Sequence, residues 1–524
     1  MIAGLAHLHR LGHAGFVFAR EGVFGLVEPT RLPLPARAAL RVARLIERPA
    51  SRVSANRLAT ALTRLGPSYV KLGQFLATRP DVVGVQLARD LEALQDKMPP
   101  FPQAEAERTV AEALGQPISA LFASFGAAVA AASIAQVHRA DVVTAGGLRA
   151  VAVKVLRPEV ERRFKIDLDA FSFVARNAER MSAEARRLRL VEVVETLRRS
   201  VALEMDLRFE AAALSEMAEN TRNDPDFRVP AVDWDRTARD VLTLEWIDAT
   251  PLSDRAQLEA GGLDLKRLAR AVIQTFLRHA LRDGFFHADM HPGNLFVDDA
   301  GELVAVDFGI MGRLGVKERR FLAEILLGFI TRNYHRTAEV HFEAGYVPPH
   351  HSVASFAQAI RAIGEPIHSR VAEEISMAKL FMLLFEVTGM FDMRTRPELL
   401  LLQKTMVVVE GVARSLDPKL DMWTVAEPVV REWIERNLGP AGRLEDAAEG
   451  MIEVGRFLGD APKLLARGAL LVEQLDEITR DGLVLAPDTV VAIGRAEARR
   501  TRWTTAALWI IAALLACLVY LMAR

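Results

Sequence analysis

Apolar and polar positions change their spacing several times along the chain, and each change marks an element. In ARAALRVARLIER (36–48) and SANRLATALTRL (54–65) the apolar residues recur at the spacing of an amphipathic helix. Gly66-Pro67 interrupts, and SYVKLGQFLATRP resumes as a helix. MPPFP (98–102) reads as a linker or tight corner, and AEAERTVAEALG (104–115) as a helix with Gly115 at its C-cap. After Gly126 the pattern becomes strand-like. VAVKVLRP (151–158) and VLTLEWID (241–248) are β-branched runs, and LFVDDAGELVAVDFG (295–309) reads as two short strands around a turn at Asp299-Ala300-Gly301. A helical stretch rich in Arg and Glu, roughly 159–220, lies among them, and helices dominate again from Gly315 to about residue 480. The order predicts an α+β class with helices added at both ends.

The last pattern has no polar face. Thr504 to Ala523 (TTAALWIIAALLACLVYLMA) carries no charge. That is about the ~20 residues a helix needs to cross a bilayer. Trp503, Trp509 and Tyr520 are available for the interfaces. Arg495, Arg499, Arg500 and Arg502 precede the run and Arg524 follows it, which leaves the large N-terminal part in the cytoplasm. The bland alternative is a buried core helix, but such a helix rarely lacks a polar face altogether. The opening residues are broken by His7, His9, Arg10, His13, Arg20 and Glu21, so no secretory leader is expected.

Composition changes the picture little. The 524 residues, 51% of them hydrophobic, are enough for more than one folding unit. A formal net charge of −1 argues against a nucleic-acid partner. One cysteine, Cys517, excludes an intrachain disulfide and fits a reducing compartment.

The chemistry is concentrated in the strand-rich middle. His287-Ala288-Asp289-Met290-His291-Pro292-Gly293-Asn294 is followed by the predicted hairpin and then Asp307-Phe308-Gly309. Phosphoryl transfer from ATP needs a carboxylate at the acceptor and oxygen ligands for magnesium, and an Asp, an Asn five residues on and a second Asp at a strand end supply that set. The bland reading is a surface loop whose Asp and Asn serve turns. Lys154 sits on an otherwise apolar strand, where an ammonium is costly unless it meets an anion or snorkels from an edge. Glu204, Asp206 and Glu210 are its candidate partners. Upstream, where a kinase carries a glycine-rich loop, this chain reads Ala130, Ala131, Ala132, Ser133, which should be stiffer.

Together these residues resemble the UbiB family of atypical kinases, linked to coenzyme Q (ubiquinone) biosynthesis. The likeness runs from about Gly66 to Gly315. It rests on Lys71-Leu72-Gly73-Gln74, the AAAS loop, VAVKV at 151–155, Glu204-Met205-Asp206 with Glu210, LEWID at 244–248, GFFHADMHPGN at 284–294 and VDFG at 306–309. Residues 316–480 carry no assignable motif. The resemblance implies a bilobal kinase-like fold with added helices: a helical extension at 1–125, an N-lobe at 126–247 and a C-lobe with helical extension at 248–480; the transmembrane helix expected from the apolar run completes the order at 503–523. It implies that Ala130 to Ser133 cover ATP, that Lys154 holds its phosphates and pairs with Glu210, and that Glu245, Trp246 and Ile247 form the adenine-binding hinge. Asp289 would be the catalytic aspartate, and Asn294 and Asp307 the Mg2+ ligands. Lys71 and Gln74, one helical turn apart, would face the Glu204/Asp206 region from a helix that covers the cleft.

Met290 stands where the family usually has proline and Ala249 where glycine is common, and no APE-type substrate-docking segment follows Asp307. The expectation is a membrane-anchored Mg-ATP kinase or ATPase, at the inner membrane if the source is bacterial. It would act on or near quinone-precursor lipids, within a membrane-bound biosynthetic complex. A nucleotide-binding pseudokinase scaffold and a conventional protein kinase are the alternatives.

Overall fold

The computed structural model describes residues 2–26, 57–77, 85–92, 98–368 and 397–439, with shorter pieces at 45–47, 79, 83, 94, 387 and 389–393. Among the described residues no helix is long and apolar enough to cross a membrane. The uncharged run at 504–523, and most of the helix expected at 36–48, lie outside them. The described elements, except the end of the last helix, belong to the compact unit Met1–Glu435.

Four N-terminal helices, α1 (Ile2–Arg20), α2 (Arg57–Leu65), α3 (Pro67–Ala77) and α4 (Val85–Glu92), gather on one apolar cluster. Leu62, Tyr69, Ala77 and Leu91 bury their side chains there. Gly66, at φ 100°, separates α2 from α3, as the sequence break predicts. Gly73 of the Lys-Leu-Gly-Gln stretch has a packing reason: a Cβ there would run into Leu94 and come within 2.8 Å of Leu62.

Next comes α5 (Gln103–Leu114), which ends at the predicted Gly115, left-handed at φ 69°. It covers one face of an antiparallel sheet whose strand order is β1 (Ser124–Ala131), β2 (Ala135–Thr144), β3 (Gly147–Leu156) and then β5 (Val241–Glu245). The alternation of VAVKV explains the core. Val151, Val153 and Val155 point to the covered face with Val110 of α5, and all four are fully buried. Lys154 therefore points to the other face. The Ala-rich segment is a strand, not a helix, up to Ala131. Alanine is a poor strand former, and pairing along the longer β2 overrides its preference, with register shifts between Phe125 and Ala130.

The helical stretch after β3 is broken into segments. The main ones are α6 (Val160–Met181), α7 (Leu190–Glu204) and α8 (Leu207–Asn220). Helices α6 and α7 complete the N-terminal cluster through Phe164, Leu168, Phe171, Leu197 and Val201. Asp206 starts α8 as its N-cap, accepting from the Arg208 N–H.

The second half is built on α9 (Leu265–Arg278) and small sheets. One sheet orders β4 (Phe227–Arg228), β9 (Leu303–Ala305), β8 (Leu295–Asp298) and β6 (Ala249–Pro251). Strands β8 and β9 are the predicted hairpin. The other pairs β7 (Phe285–His287) with β10 (Met311–Arg313). Gly284 precedes β7 at φ 65°, and a Cβ there would meet the Leu314 carbonyl at 2.5 Å. Among the described residues five helices follow: α10 (Val316–Ile330), α11 (Tyr334–Glu343), α12 (Val353–His368), α13 (Pro397–Leu416) and α14 (Met422–Leu438). Tyr334, Val347, Phe356, Ile360 and Phe391 form an apolar cluster of their own.

Candidate active site

Three elements converge on Lys154. From β3 its ammonium donates to both oxygens of Glu210 on α8, at 2.8 and 2.9 Å, and to Asp307 Oδ1 at 2.9 Å. Of the three carboxylates left open by sequence, Glu210 is thus the partner. Asp307 sits at φ 62°, a region Asp tolerates better than most residues, and this turn aims its carboxylate back at β3. Burial alone would pull the Lys154 pKa down, but Asp307 and Glu210 outweigh it and raise it. The Lys154 ammonium holds the Asp307 carboxyl well below the usual range. Burial pushes Glu210 up, with Lys154 opposing it.

The loop after β7 is held from within. The Asp289 N–H donates to His287 Nδ1 at 3.0 Å, so the His287 proton lies on Nε2, which faces the Val306 carbonyl at 3.2 Å. Burial lowers the His287 pKa, consistent with a neutral ring. Asn294 Nδ2 donates to the Asp289 carbonyl at 3.1 Å, which turns its Oδ1 the other way. Asp307 uses one oxygen on Lys154 and keeps its second. Asn294 and Asp307 therefore offer the hard oxygen donors that Mg2+ takes.

On α3, Lys71 pairs with Glu204 at 2.5 Å, the two side chains 13% and 8% exposed. Lys71 also lies near enough to Asp307 to lower its pKa. Asp206 does not share in that pair as expected: it caps α8 and binds Arg208 at 2.6 Å, because the chain turns between α7 and α8. Gln74 lies one turn further along α3. At the expected hinge, the Glu245 and Trp246 amides are used internally, donating to Ala231 at 2.8 Å and Ala150 at 3.3 Å. The Glu245 carboxylate is held by Arg228 at 3.2 Å.

Ala130 and Ala131 close β1, and Ala132 and Ser133 form the turn into β2, where the Ala132 N–H donates to the Ala135 carbonyl at 2.8 Å. Three residues not singled out from sequence fix this turn and the loop below it. Arg157 donates to the carbonyls of Ala132 and Pro99, both at 2.9 Å, tying the turn to the 98–102 linker. Gln136 accepts from the Phe101 N–H at 2.9 Å and donates towards His138 Nε2 at 2.9 Å. The His138 proton therefore lies on Nδ1, which donates to the Gly126 carbonyl at 2.8 Å. The hydroxyl of Thr405, fully buried on α13, lies between two carbonyls, that of Leu401 one turn back at 2.8 Å and that of Ala288, one residue from Asp289, at 3.1 Å. The available signal was a hydroxyl on the apolar face of a predicted helix.

A strand lysine paired with a helix glutamate and with the aspartate of an Asp-Phe-Gly turn, beside a His-x-Asp loop ending in Asn, defines a protein-kinase-like centre. Comparison with known proteins agrees and is more specific. The ABC1 atypical kinase-like domain matches residues 93–341, and the UbiB helical domain matches residues 360–421, a stretch without a motif assignable from sequence. A "Probable protein kinase UbiB" of Marinobacter nauticus is 38% identical over 447 residues, covering 84% of this chain and 81% of that one. One of Xanthomonas axonopodis pv. citri is 38% identical over 470 residues, covering 87% and 84%. Among solved structures, the Rv3197–erythromycin complex from Mycobacterium tuberculosis is 24% identical with a TM-score of 0.48, over 75% of this chain and 98% of that one. The chain belongs to the UbiB family of atypical kinase-like proteins.

Proposed function

We propose that this chain binds Mg-ATP and cleaves its γ-phosphate as a membrane-anchored ATPase or small-molecule kinase in ubiquinone biosynthesis, working on or beside quinone-precursor lipids. One observation carries the reading: the Lys154 ammonium is held between Glu210 and Asp307, and the residue before Asp307, Val306, donates its N–H to the Asn294 carbonyl at 2.9 Å, which ties Asp307 to the loop that bears Asp289 and Asn294. Lys154 is to hold the phosphates, with Glu210 fixing its position. Asn294 and Asp307 are to hold Mg2+. When bound, that ion offsets the negative charge of the phosphate oxygens. Asp289 is to take the proton of the acceptor hydroxyl or of water. Ala130 to Ser133 are to cover the phosphates, with Arg157 keeping the turn rigid. Helix α3, latched through Lys71 and Glu204, is to shield the cleft from protein substrates.

The uncharged run at Thr504–Ala523 is to span the membrane and keep the site near its lipid acceptor. The test uses the full chain in detergent and follows phosphate release from Mg-ATP, with and without quinone-precursor lipids. Asp289→Asn should abolish release. Equal release by wild type and variant would discard the catalytic role, and no release by either would leave a nucleotide-binding scaffold. Truncation after about Arg500 should move the protein from the membrane pellet to the soluble fraction; retention in the pellet would reject the anchor.

A further inference from the structure

The turn after α11 brings His350 and His351 against Asp392, in the segment that precedes α13. His351 Nε2 lies 3.3 Å from Asp392 Oδ2, and His350 Nε2 lies 3.7 Å from the same oxygen. One nitrogen from each ring and a carboxylate oxygen all fall within 4.8 Å of one another. With bond lengths of about 2.0–2.1 Å, two ligands of a tetrahedral zinc ion stand about 3.4 Å apart, so two edges of such a site are close to preformed. The third closes by side-chain rotation of His350, which is the freer ring at 66% exposure against 20% for His351.

The supports on either side are firm. The His351 N–H donates to the Pro348 carbonyl at 3.2 Å. Its ring packs on Phe391 at 5.3 Å, and Phe391 packs on Phe356 at 5.0 Å inside the apolar cluster. Asp392 is held at φ 48°, a turn conformation that points its carboxylate back at the two rings.

We infer that His350, His351 and Asp392 form a binding site for a borderline divalent transition ion such as Zn2+, with water completing the shell. Two imidazoles and one carboxylate suit zinc and its neighbours, whereas Mg2+ and Ca2+ take oxygen ligands. The ion would staple the 346–352 turn to the segment before α13, the helix whose Thr405 reaches the Asp289 loop. This inference does not depend on nucleotide binding or on turnover.

The test is calorimetric titration of Zn2+ alone into chelator-stripped full-length protein, with Mg2+ as the control ion. Wild type should take up one Zn2+ at this site, and Asp307→Asn should retain it. His351→Ala and Asp392→Asn should each weaken it about tenfold or more, since even outer-shell partners of a metal ligand are worth about that much. The zinc-induced rise in melting temperature should vanish in the same two variants, while their zinc-free melts stay close to wild type. Wild-type zinc affinity in either variant, or no uptake by the parent protein at micromolar Zn2+, overturns the inference.

Discussion

Replacing Lys71 or Glu204 tests the proposal that α3 shields the site. The pair is 2.5 Å apart and about nine-tenths buried on both sides, so solvent screens it little. At an effective dielectric of about 20, Coulomb's law gives a gross attraction of ~7 kcal/mol. Removing both charges from water offsets most of that. Deleting one partner takes the charge-assisted contact away from the other, which stays buried, at a cost of up to ~3–5 kcal/mol. Deleting both avoids that penalty. The double variant Lys71→Met/Glu204→Gln should therefore lose less than the sum of the single losses, by ~1–3 kcal/mol. Denaturant unfolding gives the cycle, and hydrogen exchange along α3 shows whether the loss is local. If α3 shields the cleft as proposed, the singles should also change ATP turnover or autophosphorylation. Additivity within about 0.5 kcal/mol would refute the buried pair. Unchanged turnover in both singles would refute the shielding.

Thr405→Val removes the hydroxyl that lies between the Leu401 and Ala288 carbonyls while keeping the shape. It should destabilise by ~1–2 kcal/mol and lower kcat with little change in KM for ATP, and Thr405→Ser should restore activity; an effect on KM alone would exclude a positioning role. His138 and His279 are fully buried, and burial lowers the pKa of each. The unfolded chain takes up their protons below about pH 6.5 while the folded chain resists. Their contribution is therefore complete above that pH, and stability falls as pH drops below it, by up to ~1.4 kcal/mol per pH unit for each ring. Denaturant midpoints that do not fall between pH 7 and 5.5 would contradict this.

Much of the centre was legible because its residues carry their meaning in short spacings. Asp289 with Asn294, the hairpin and the Asp-Phe-Gly turn are local, and so is the alternation that leaves Lys154 on the face opposite three buried valines. Choosing Glu210 over Glu204 and Asp206 needed the helix break at Asp206, where a cap residue turns the chain by its own hydrogen bond. Arg157, Gln136 and Thr405 were not legible. Each works through a backbone carbonyl or amide distant in sequence, 117 positions away for Thr405, and no spacing rule encodes such a partner. The strand character of the Ala-rich segment was hidden for a related reason: pairing along β2 decides it, against the preference of alanine.

The central claim is that Lys154, Glu210 and Asp307 form an Mg-ATP site. Isothermal titration of Mg-ATP into the full chain measures it directly. One nucleotide should bind per chain, and binding should depend on Mg2+. Lys154→Ala should weaken it by about tenfold or more through loss of a buried phosphate contact, a change of ~1.4 kcal/mol or more. Asp307→Asn should weaken the Mg2+-dependent part while leaving the fold intact. Wild-type affinity for Mg-ATP in both variants would contradict the account.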